Sequence, residues 1–288
     1  MKLSVIIPSY NEIENIDNLI TAIVNVLSKV EYEVVVVDDN SPDGSWKVVQ
    51  RHAEQNPHVK LVRRIGERGL RSAIQTGIKA STGEAVAWMD CDFQHPPEKL
   101  LELKMAIEAG VDVASASRFL DLRGGTSGDS RLDSKDGPFI VRFHGFLSRL
   151  LNKTITLICR SRLTDWTSGM VCMRKSVVDR LLFRGNHGEY LMYLLFQADH
   201  GQFSIKEIPY VLRLREAGLS KSSTTYSDLF ILGLKYIRVV SRLAYFTYIK
   251  NPFKIRPVST LEGSVSGRNR VNTSENKSIC EEPIGKNI

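Results

Sequence analysis

The chain has 288 residues, 42% of them hydrophobic, and a formal net charge of +7. This length and apolar content suffice for one substantial α/β core, or for one domain with an appendage. The positive charge indicates an anionic partner, such as nucleic acid, a phosphorylated ligand or an acidic lipid surface.

The cysteines and the apolar runs argue against several classes of protein. The four cysteines form no CxxC pair and show no metal-ligand spacing, which disfavours a zinc site or a disulfide framework and favours a reduced, cytoplasmic compartment. The N-terminal apolar run is too short for a signal peptide, and no run of about 18 apolar residues occurs. We therefore expect any membrane contact to be peripheral.

The first 115 residues alternate short apolar runs with helical patterns. The apolar runs predict strands over residues 3–7, 33–37, 85–89 and 111–115. The helical patterns predict helices over residues 16–27, 46–52, 72–79 and 98–108. This alternation predicts βαβ units and a mostly parallel sheet, in which ligands bind at the carboxyl ends of the strands.

The second half is less regular. Residues 121–137 form a Gly, Ser, Asp and Arg-rich segment, which predicts a loop that covers a site. Helices are expected over 139–158 and 226–249, with strand-like residues over 202–214. We divide the chain into an α/β domain over 1–225, an amphipathic helix over 226–251 and a disordered tail over 252–288.

Two carboxylates and an amide follow the third predicted strand, in the segment DCDFQ at residues 90–94. A turn directly after the strand would let the carboxylate of Asp92 and the amide oxygen of Gln94 converge on one cation. Such oxygen-only ligation suits Mg²⁺ or Mn²⁺ bridging a diphosphate. The alternative interpretation is a pair of solvated loop acids.

The first two predicted strands also end in polar residues. Asp38 and Asp39 close the second strand, where carboxylates can accept hydrogen bonds from a ribose or a base. The first strand runs into Tyr10 and Glu12, which offer an aromatic face and a further carboxylate. Either feature alone also fits an ordinary turn.

Taken in chain order, these segments resemble the family-2 glycosyltransferases with a GT-A fold, and within them the dolichyl- or polyprenyl-phosphate mannosyltransferases. The motifs are VIIPSYNE (5–12), VVDDNSPDG (36–44), GLRSA (69–73), DCDFQHPPE (90–98), SASRF (115–119), DWTSG (165–169) and REAGLSK (215–221). The resemblance covers roughly residues 1–225. It implies a mostly parallel central sheet flanked by helices, with C-terminal amphipathic helices.

The resemblance also implies a site for a nucleotide sugar. The positions that hold the guanosine part of the donor are matched by Pro8, Tyr10, Glu12, Val37 and Asp39. The diphosphate-binding and metal-binding stretch is matched by Asp90, Cys91, Asp92 and Gln94. Asp92 and Gln94 are the expected direct metal ligands, with Asp90 beside them. Cys91 departs from the family, which usually has a small residue such as alanine there.

Three basic residues complete the site that the resemblance implies. Arg118 matches an arginine near the donor phosphates and the acceptor. Arg215 and Lys221 match a basic pair whose loop closes over the leaving diphosphate and the acceptor phosphate. Together with Asp92, these are the residues expected to carry catalysis.

The implied reaction moves mannose from GDP-mannose onto a dolichyl or polyprenyl phosphate. A divalent ion and preplaced cations would stabilise the charge of the leaving diphosphate. The acceptor is a phosphate monoester with a second pKa of about 6, so it is largely dianionic at neutral pH and needs no strong general base. We expect direct attack with inversion at the anomeric carbon.

Two predicted helices combine basic and apolar residues. In the first, the basic residues Arg142, Arg149, Lys153 and Arg160 lie beside Phe143, Phe146, Leu147, Leu150 and Leu151. In the second, the basic residues Lys235, Arg238 and Arg242 lie beside Leu232, Ile237, Val239, Leu243 and Phe246. We expect both to lie among lipid headgroups and to hold the acceptor between them. Core packing with solvated basic faces is the alternative.

Other functions explain less of the sequence. A related enzyme could use a UDP-sugar, acting on polyprenyl phosphate or on a glycan in polysaccharide synthesis. A nucleic-acid-binding protein would explain the charge but not three acidic strand ends, so we expect no nucleic-acid partner. A Rossmann dehydrogenase is disfavoured because no GxGxxG follows the first strand. A non-catalytic nucleotide-binding relative also stays open.

Three aromatic residues near these motifs have separate expectations. Trp88 and Phe93 are predicted to be core residues. Trp166 adjoins the Thr-Ser-Gly segment and is placed either in the core or on the acceptor side. His95 follows the acidic motif, where a role in supporting the metal ligands is the alternative to the structural or solvent-exposed role that we expect.

Overall fold

The computed structural model of the chain describes residues 1–120, 139–185, 187–213 and 226–249, without the side chains of 139–141 and 226–232. The predicted covering loop over 121–137, the basic residues Arg215 and Lys221, and the predicted tail over 252–288 lie outside these described residues.

The described residues form a seven-stranded sheet with the strand order β3-β2-β1-β4-β6-β5-β7. The strands are β1 Leu3–Ser9, β2 Tyr32–Asp38, β3 Val59–Arg63, β4 Ala85–Trp88, β5 Val113–Ser117, β6 Val171–Arg174 and β7 Ile205–Pro209. All pairings are parallel except those of β6, which runs antiparallel to both β4 and β5. The central strands are buried throughout, as expected for a parallel sheet covered on both faces.

Eight helices occupy the described part of the chain. They are α1 Ile16–Leu27, α2 Ser45–Gln55, α3 Leu70–Ala80, α4 Lys99–Glu108, α5 Phe139–Cys159, α6 Lys175–Val178, α7 Glu189–His200 and α8 Tyr226–Tyr248. The predicted α/β class, with a mostly parallel sheet and flanking helices, is confirmed.

The sheet separates two apolar cores. Helices α1, α2 and α4 pack on one face, and the other face receives residues from α3, α5, α6, α7 and α8. In α1 the buried residues recur at helical spacing, at Ile16, Leu19, Ile20, Ile23 and Leu27. Each such fully buried side chain contributes about 1.5–3 kcal/mol relative to exposure. On the opposite face, Gly77 lets α3 approach β1, since a Cβ there would collide with the side chain of Ile6.

Helices α5 and α8 pack against each other, and α8 also contacts α7. Val239 and Leu243 of α8 are buried and belong to the same core as the inner residues of α5. Within the described ranges, no helix is long and apolar enough to cross a membrane.

Sequence patterns missed four elements, each for a physical reason. The helix α6 is a single turn of four residues, too short to show a helical period. The strand β3 has charged residues among its apolar ones, and β6 has only four residues whose pairing depends on distant strands. The helix α7 is buried over nearly its whole length, so it lacks an amphipathic period. The predicted strand over 111–115 lies at 113–117, and only 205–209 of the strand-like stretch over 202–214 is a regular strand.

Candidate functional site

The carboxyl ends of the neighbouring strands bring the predicted nucleotide-binding residues to one edge of the sheet. In the register of β1 and β2, Pro8 lies opposite Val37. The chain then continues to Tyr10 after β1 and to Asp39 after β2. The main-chain N–H of Asp39 donates to the main-chain carbonyl of Ser9 at 3.1 Å. Pro8 lacks an N–H, and the β1–β4 pairing ends two residues earlier, at Ile6.

Both carboxylate oxygens of Asp38 form hydrogen bonds within the turn that follows β2. Its two carboxylate oxygens accept hydrogen bonds from the main-chain N–H of Ser41 at 2.8 Å and from the Ser41 hydroxyl at 2.7 Å. The side chain is fully buried, and Asn40 adopts a left-handed conformation within the turn. Asp38 therefore stabilises the turn that presents Asp39.

Asp39 forms a buried ion pair that the sequence analysis did not predict. One carboxylate oxygen lies 2.7 Å from Nε of Arg64, and the other accepts the main-chain N–H of Gly69 at 2.8 Å. Arg64 in turn donates to the hydroxyl of Ser72 and to the carbonyl of Gly69. This network fixes the segment between β3 and α3 against the site edge. Because the sequence analysis did not predict β3, it could not place Arg64, which follows that strand, beside Asp39.

Tyr10 and Glu12 lie at the entrance of the same edge. The guanidinium of Arg68 stacks 3.7 Å from the centre of the Tyr10 ring. Glu12 accepts a hydrogen bond from Asn15 at 2.9 Å, and its main-chain N–H donates to the hydroxyl of Ser45 at 3.0 Å. The loops after β1 and β2 are thus tied together, and the aromatic face is shared with a cation.

The acidic motif after β4 forms a tight turn. The Asp90 side chain is 47% exposed, whereas Asp92 is buried and accepts the main-chain N–H of Gln94 at 3.1 Å. Phe93 has a φ of 59°, an uncommon conformation for an aromatic residue, and its side chain is buried as predicted. The turn places two carboxylates and one amide at the site edge.

Gln94 connects this motif to the chain that follows β7. Its main-chain oxygen accepts the N–H of Arg213 at 3.1 Å, and its amide nitrogen lies 3.5 Å from the Arg213 carbonyl. Among the described residues, no donor reaches the Gln94 amide oxygen. Arg215 lies two residues beyond this contact, outside the described residues.

His95 anchors the acidic motif from below. Its Nε2 lies 2.6 Å from the carbonyl of Ser168, which accepts only, so this nitrogen carries the hydrogen. Nδ1 then accepts the main-chain N–H of Asp90 at 3.3 Å. Gly169 has a φ of 86°, and a Cβ there would lie 3.0 Å from the ring of His95. The histidine is 2% exposed, as a structural residue would be.

The predicted metal ligands Asp90, Asp92 and Gln94 present only oxygen donors, which suit a hard divalent cation. In the described part of the chain, no group of three His, Cys, Asp or Glu side chains is arranged to hold a metal. In addition to the two carboxylates, a cation at this turn would therefore need the amide oxygen of Gln94 and oxygens of a bound diphosphate. The residues present fit such a site.

The floor beneath Asp90 is aromatic. The indole N–H of Trp88 donates to the hydroxyl of Tyr190 at 2.9 Å, and both side chains are buried. Burial, together with the nearby charge of Asp90, raises the pKa of the Tyr190 phenol. Tyr190 is therefore neutral and holds the position of Trp88, which is a core residue as predicted.

Arg118 follows β5 and is engaged by Asp165. Its Nε and Nη2 lie 2.7 Å from the two Asp165 oxygens, and its main-chain N–H donates to the same carboxylate at 3.0 Å. Nη2 also donates to Thr167 at 2.7 Å. Burial raises the pKa of Tyr236 on α8, the charge of Glu189 adds to this and the charge of Arg118 opposes it. Arg118 is thus held in one position by Asp165 and Thr167.

The segment around Asp165 is itself fixed from both sides. Glu207 of β7 accepts the main-chain N–H groups of Thr164 and Asp165 at 2.9 Å. Trp166 is fully buried, and its indole N–H donates to Thr156 of α5 at 3.0 Å. Trp166 is consequently a core residue, and its placement on the acceptor side is wrong, because the indole is needed to dock α5.

Helices α5 and α8 carry an unusual apolar surface. Nine of the 14 large hydrophobic side chains that are exposed in the described ranges belong to these helices or to the next residue, so the exposure is concentrated rather than scattered. They are Phe143, Phe146, Leu150, Leu157, Leu234, Ile237, Tyr245, Tyr248 and Ile249. Val239 and Leu243, predicted for the same surface, instead face the core.

Comparisons with known proteins identify the family and the fold. The model of glycosyl transferase family 2 matches residues 4–182, and the chain belongs to that family. The described fold is GT-A-like: glucosyl-3-phosphoglycerate synthase from Mycobacterium tuberculosis, solved with Mn²⁺, UDP and phosphoglyceric acid, has a TM-score of 0.63 at 15% identity. That match covers 84% of this chain and 78% of the synthase.

Two curated relatives are more similar in sequence. Dolichol-phosphate mannosyltransferase of Pyrococcus furiosus is 36% identical over 77% of this chain and 59% of its own length. Undecaprenyl-phosphate 4-deoxy-4-formamido-L-arabinose transferase of an Enterobacter species is 30% identical over 82% of this chain and 65% of its own length. The chain thus matches less than two thirds of the length of each relative.

Proposed function

We propose that this chain transfers a sugar from a nucleoside diphosphate donor to a dolichyl or polyprenyl phosphate, with mannose from GDP-mannose as the reaction favoured here. The observation that carries the proposal is the turn at residues 90–94, which sets oxygen ligands beside two strand ends suited to a nucleotide. The name of the Pyrococcus furiosus relative supports the choice of mannose and of a lipid phosphate acceptor.

The donor nucleoside would lie over the ends of β1 and β2. The residues proposed to hold it are Pro8, Tyr10, Glu12, Val37 and Asp39. The Tyr10 ring offers a stacking surface, although Arg68 now covers it, so that the base must displace or join the guanidinium. Asp39 is already bound to Arg64, and we propose that it acts on the nucleoside mainly by holding the adjoining loop.

The diphosphate would lie at the turn after β4, with Asp90, Asp92 and Gln94 as the residues that hold Mg²⁺ or Mn²⁺. When bound, such an ion offsets the negative charge of the departing diphosphate. Cys91 is buried within the turn and small enough to leave the neighbouring carboxylates in place. The backbone of Asp90 is held by His95, so the first carboxylate begins from a fixed position.

The basic residues supply the remaining charge. Arg118 is proposed to face the donor phosphates and the acceptor from a position that Asp165 preorganises, so that little reorganisation is needed during transfer. Arg215 and Lys221 are proposed to close over the leaving diphosphate and the acceptor phosphate. The contact between Gln94 and Arg213 supports this placement, because the described chain reaches the acidic turn two residues before Arg215.

The nucleophile would be an oxygen of the acceptor phosphate, which is largely dianionic at neutral pH since its second pKa is about 6. It attacks the anomeric carbon as the bond to the nucleoside diphosphate breaks, so no protein base has to remove a proton. The product of an α-linked donor is then a β-linked sugar phosphate.

We further propose that the protein works at the cytoplasmic face of a membrane, attached peripherally through α5 and α8. Their exposed apolar side chains would enter the headgroup region, while neighbouring basic residues meet anionic lipid. The acceptor chain would then lie along these helices, near Arg118.

A UDP-sugar is the second candidate donor. The Enterobacter relative is named for a different sugar on undecaprenyl phosphate. Similarity to lipid-phosphate transferases therefore does not by itself identify the donor. In this case the reaction class and the acceptor stay the same and only the nucleotide and the sugar change.

A lipid-extraction assay tests the proposal. The full chain is incubated with Mn²⁺, a polyprenyl phosphate and labelled GDP-mannose or UDP-glucose, and the label is counted in the organic phase. We expect label from GDP-mannose, and loss of it in Asp92→Ala but not in Asp179→Ala. The control removes a half-exposed carboxylate from the residue that follows α6. NMR of the product should show the inverted anomer; retention would refute the direct attack.

A further inference from the structure

A groove of about 560 Å³ lies beside α5, and none of its described lining residues belongs to the acidic turn of residues 90–94. Its lining combines three basic side chains with an aromatic ring, an aliphatic side chain and hydroxyl groups. It is lined by Phe119, Arg149, Lys153, Thr156, Leu157, Arg160, Ser161 and Thr164. Arg149 and Lys153 lie one helical turn apart and Arg160 follows the end of α5, so all three cations border one cavity.

These cations differ from Arg64 and Arg118, two buried arginines near the carboxyl ends of the strands. Arg64 and Arg118 are buried and bound to carboxylates. Arg149 and Lys153 are exposed and make no ion pair with any described residue, while Arg160 lies 5.1 Å from the ring of Tyr248. No aspartate or glutamate is among the described residues that line the groove, although Thr164 donates to Glu207 behind it. The three cations therefore favour an anionic ligand.

The groove adjoins the proposed reaction site through two neighbours of the buried ion pair. Phe119 follows Arg118, whose guanidinium lies 4.9 Å from the phenyl ring, and Thr164 precedes Asp165. On its other side the groove reaches Leu157, which is 78% exposed on the apolar surface of α5. Its ligand should therefore combine an anionic group with an apolar chain.

We propose that this groove binds the phosphate group of a membrane lipid, with the lipid chain leaving along Leu157. The inference rests on the proposed function in that a polyprenyl phosphate is one source of such a group; a bulk anionic phospholipid is the other. Both carry a phosphate with its apolar chain, and the groove's cations recognise that shared chemistry.

The test uses the full chain with Arg149→Gln and Lys153→Gln combined. The matched control combines Lys29→Gln and Lys79→Gln, which removes the same charge from exposed sites preceding β2 and β4, at the opposite edge of the sheet. One arm titrates a short-chain prenyl monophosphate by calorimetry. The other measures flotation with phosphatidylcholine vesicles containing phosphatidylglycerol. Thermal melting checks that both variants are folded.

We expect binding in at least one arm to weaken by about thirtyfold, and the control to match the parent protein. Loss in the monophosphate arm alone assigns the groove to the acceptor, and loss in the vesicle arm alone assigns it to bulk phospholipid. Unchanged binding in both arms, or an equal loss in the control, overturns the proposal. Because neither arm needs a sugar donor, an absence of transfer activity would count against the proposed function only.

Discussion

Acidic residues at the two edges of the sheet differ in how deeply they are buried and in how many hydrogen bonds they accept. At the amino edge, Glu33 accepts hydrogen bonds from Ser4, Lys60 and Thr82 and is 1% exposed. At the carboxyl edge, Asp90 is half-exposed and no described donor reaches the amide oxygen of Gln94. A buried carboxylate with its oxygens engaged stabilises the fold, whereas a half-exposed carboxylate and an amide oxygen with no described donor are accessible to a ligand.

The carboxyl edge itself contains both kinds of group. Asp38, Asp39 and Asp165 are buried and bound by a turn, by Arg64 and by Arg118 respectively. An acid at the end of a strand is therefore not sufficient to identify a ligand-binding acid. The hydrogen-bond and ion-pair partners of each acid have to be known as well. Four substitutions test the distinction between acids that stabilise the fold and acids that are accessible to a ligand, through the free energy of unfolding.

The largest loss is expected for Asp165→Ala, which leaves Arg118 buried without its carboxylate. Breaking a buried ion pair costs about 3–5 kcal/mol, so chemical denaturation should show a loss of that size. Replacing both residues together by leucine should recover part of it, because no charge is then left unpaired. A loss below that of the surface substitution Asp179→Ala would contradict the role assigned to this pair.

At the amino edge, Glu33→Gln should cost about 3 kcal/mol at neutral pH. Burial alone would raise the pKa of Glu33, but hydrogen bonds, that from Lys60 first, outweigh it and lower the pKa from 4.5 to about 2. This stabilisation is present above 4.5 and is lost as the pH falls towards 2. The free energy of unfolding, measured by denaturation at several pH values in this window, should depend less on pH for the variant than for Glu14→Gln, an exposed control.

His95→Ala should destabilise the chain by about 1–3 kcal/mol, because the Asp90 N–H loses its acceptor and the Ser168 carbonyl keeps only the longer hydrogen bond from Tyr210. Because Asp90 then loses its anchor, apparent Mn²⁺ affinity in the transfer assay should fall about tenfold to a hundredfold. His95→Gln keeps a donor and should recover part of both effects. Unchanged metal affinity with reduced stability would mean that the histidine serves folding alone.

Asp90→Asn should have the smallest effect on stability, within about 0.5 kcal/mol, because the side chain is half-exposed. The same change should lower sugar transfer strongly, since a carboxylate is removed from the proposed metal site. A stability loss comparable to that of Asp165→Ala would erase the difference between the two kinds of acid.

Some of this protein was readable from local patterns. The apolar runs of β1, β2 and β4 and the period of α1 indicated strands, helices and a mostly parallel sheet, because burial on both faces leaves a direct mark on composition. The order of the motifs identified the family and placed the acidic turn at a strand end. The short, antiparallel β6 left no such mark, since its pairing is made only after distant strands come together.

The sequence by itself thus determined the fold class, the family and the edge of the sheet where the chemistry is proposed to lie. Only the tertiary structure decided which polar residues at that edge are already engaged. Arg64 reaches Asp39 across 25 positions, and Asp165 reaches Arg118 across 47. Such pairs depend on strand order and on how later segments return to the sheet, so no local pattern of residues encodes them.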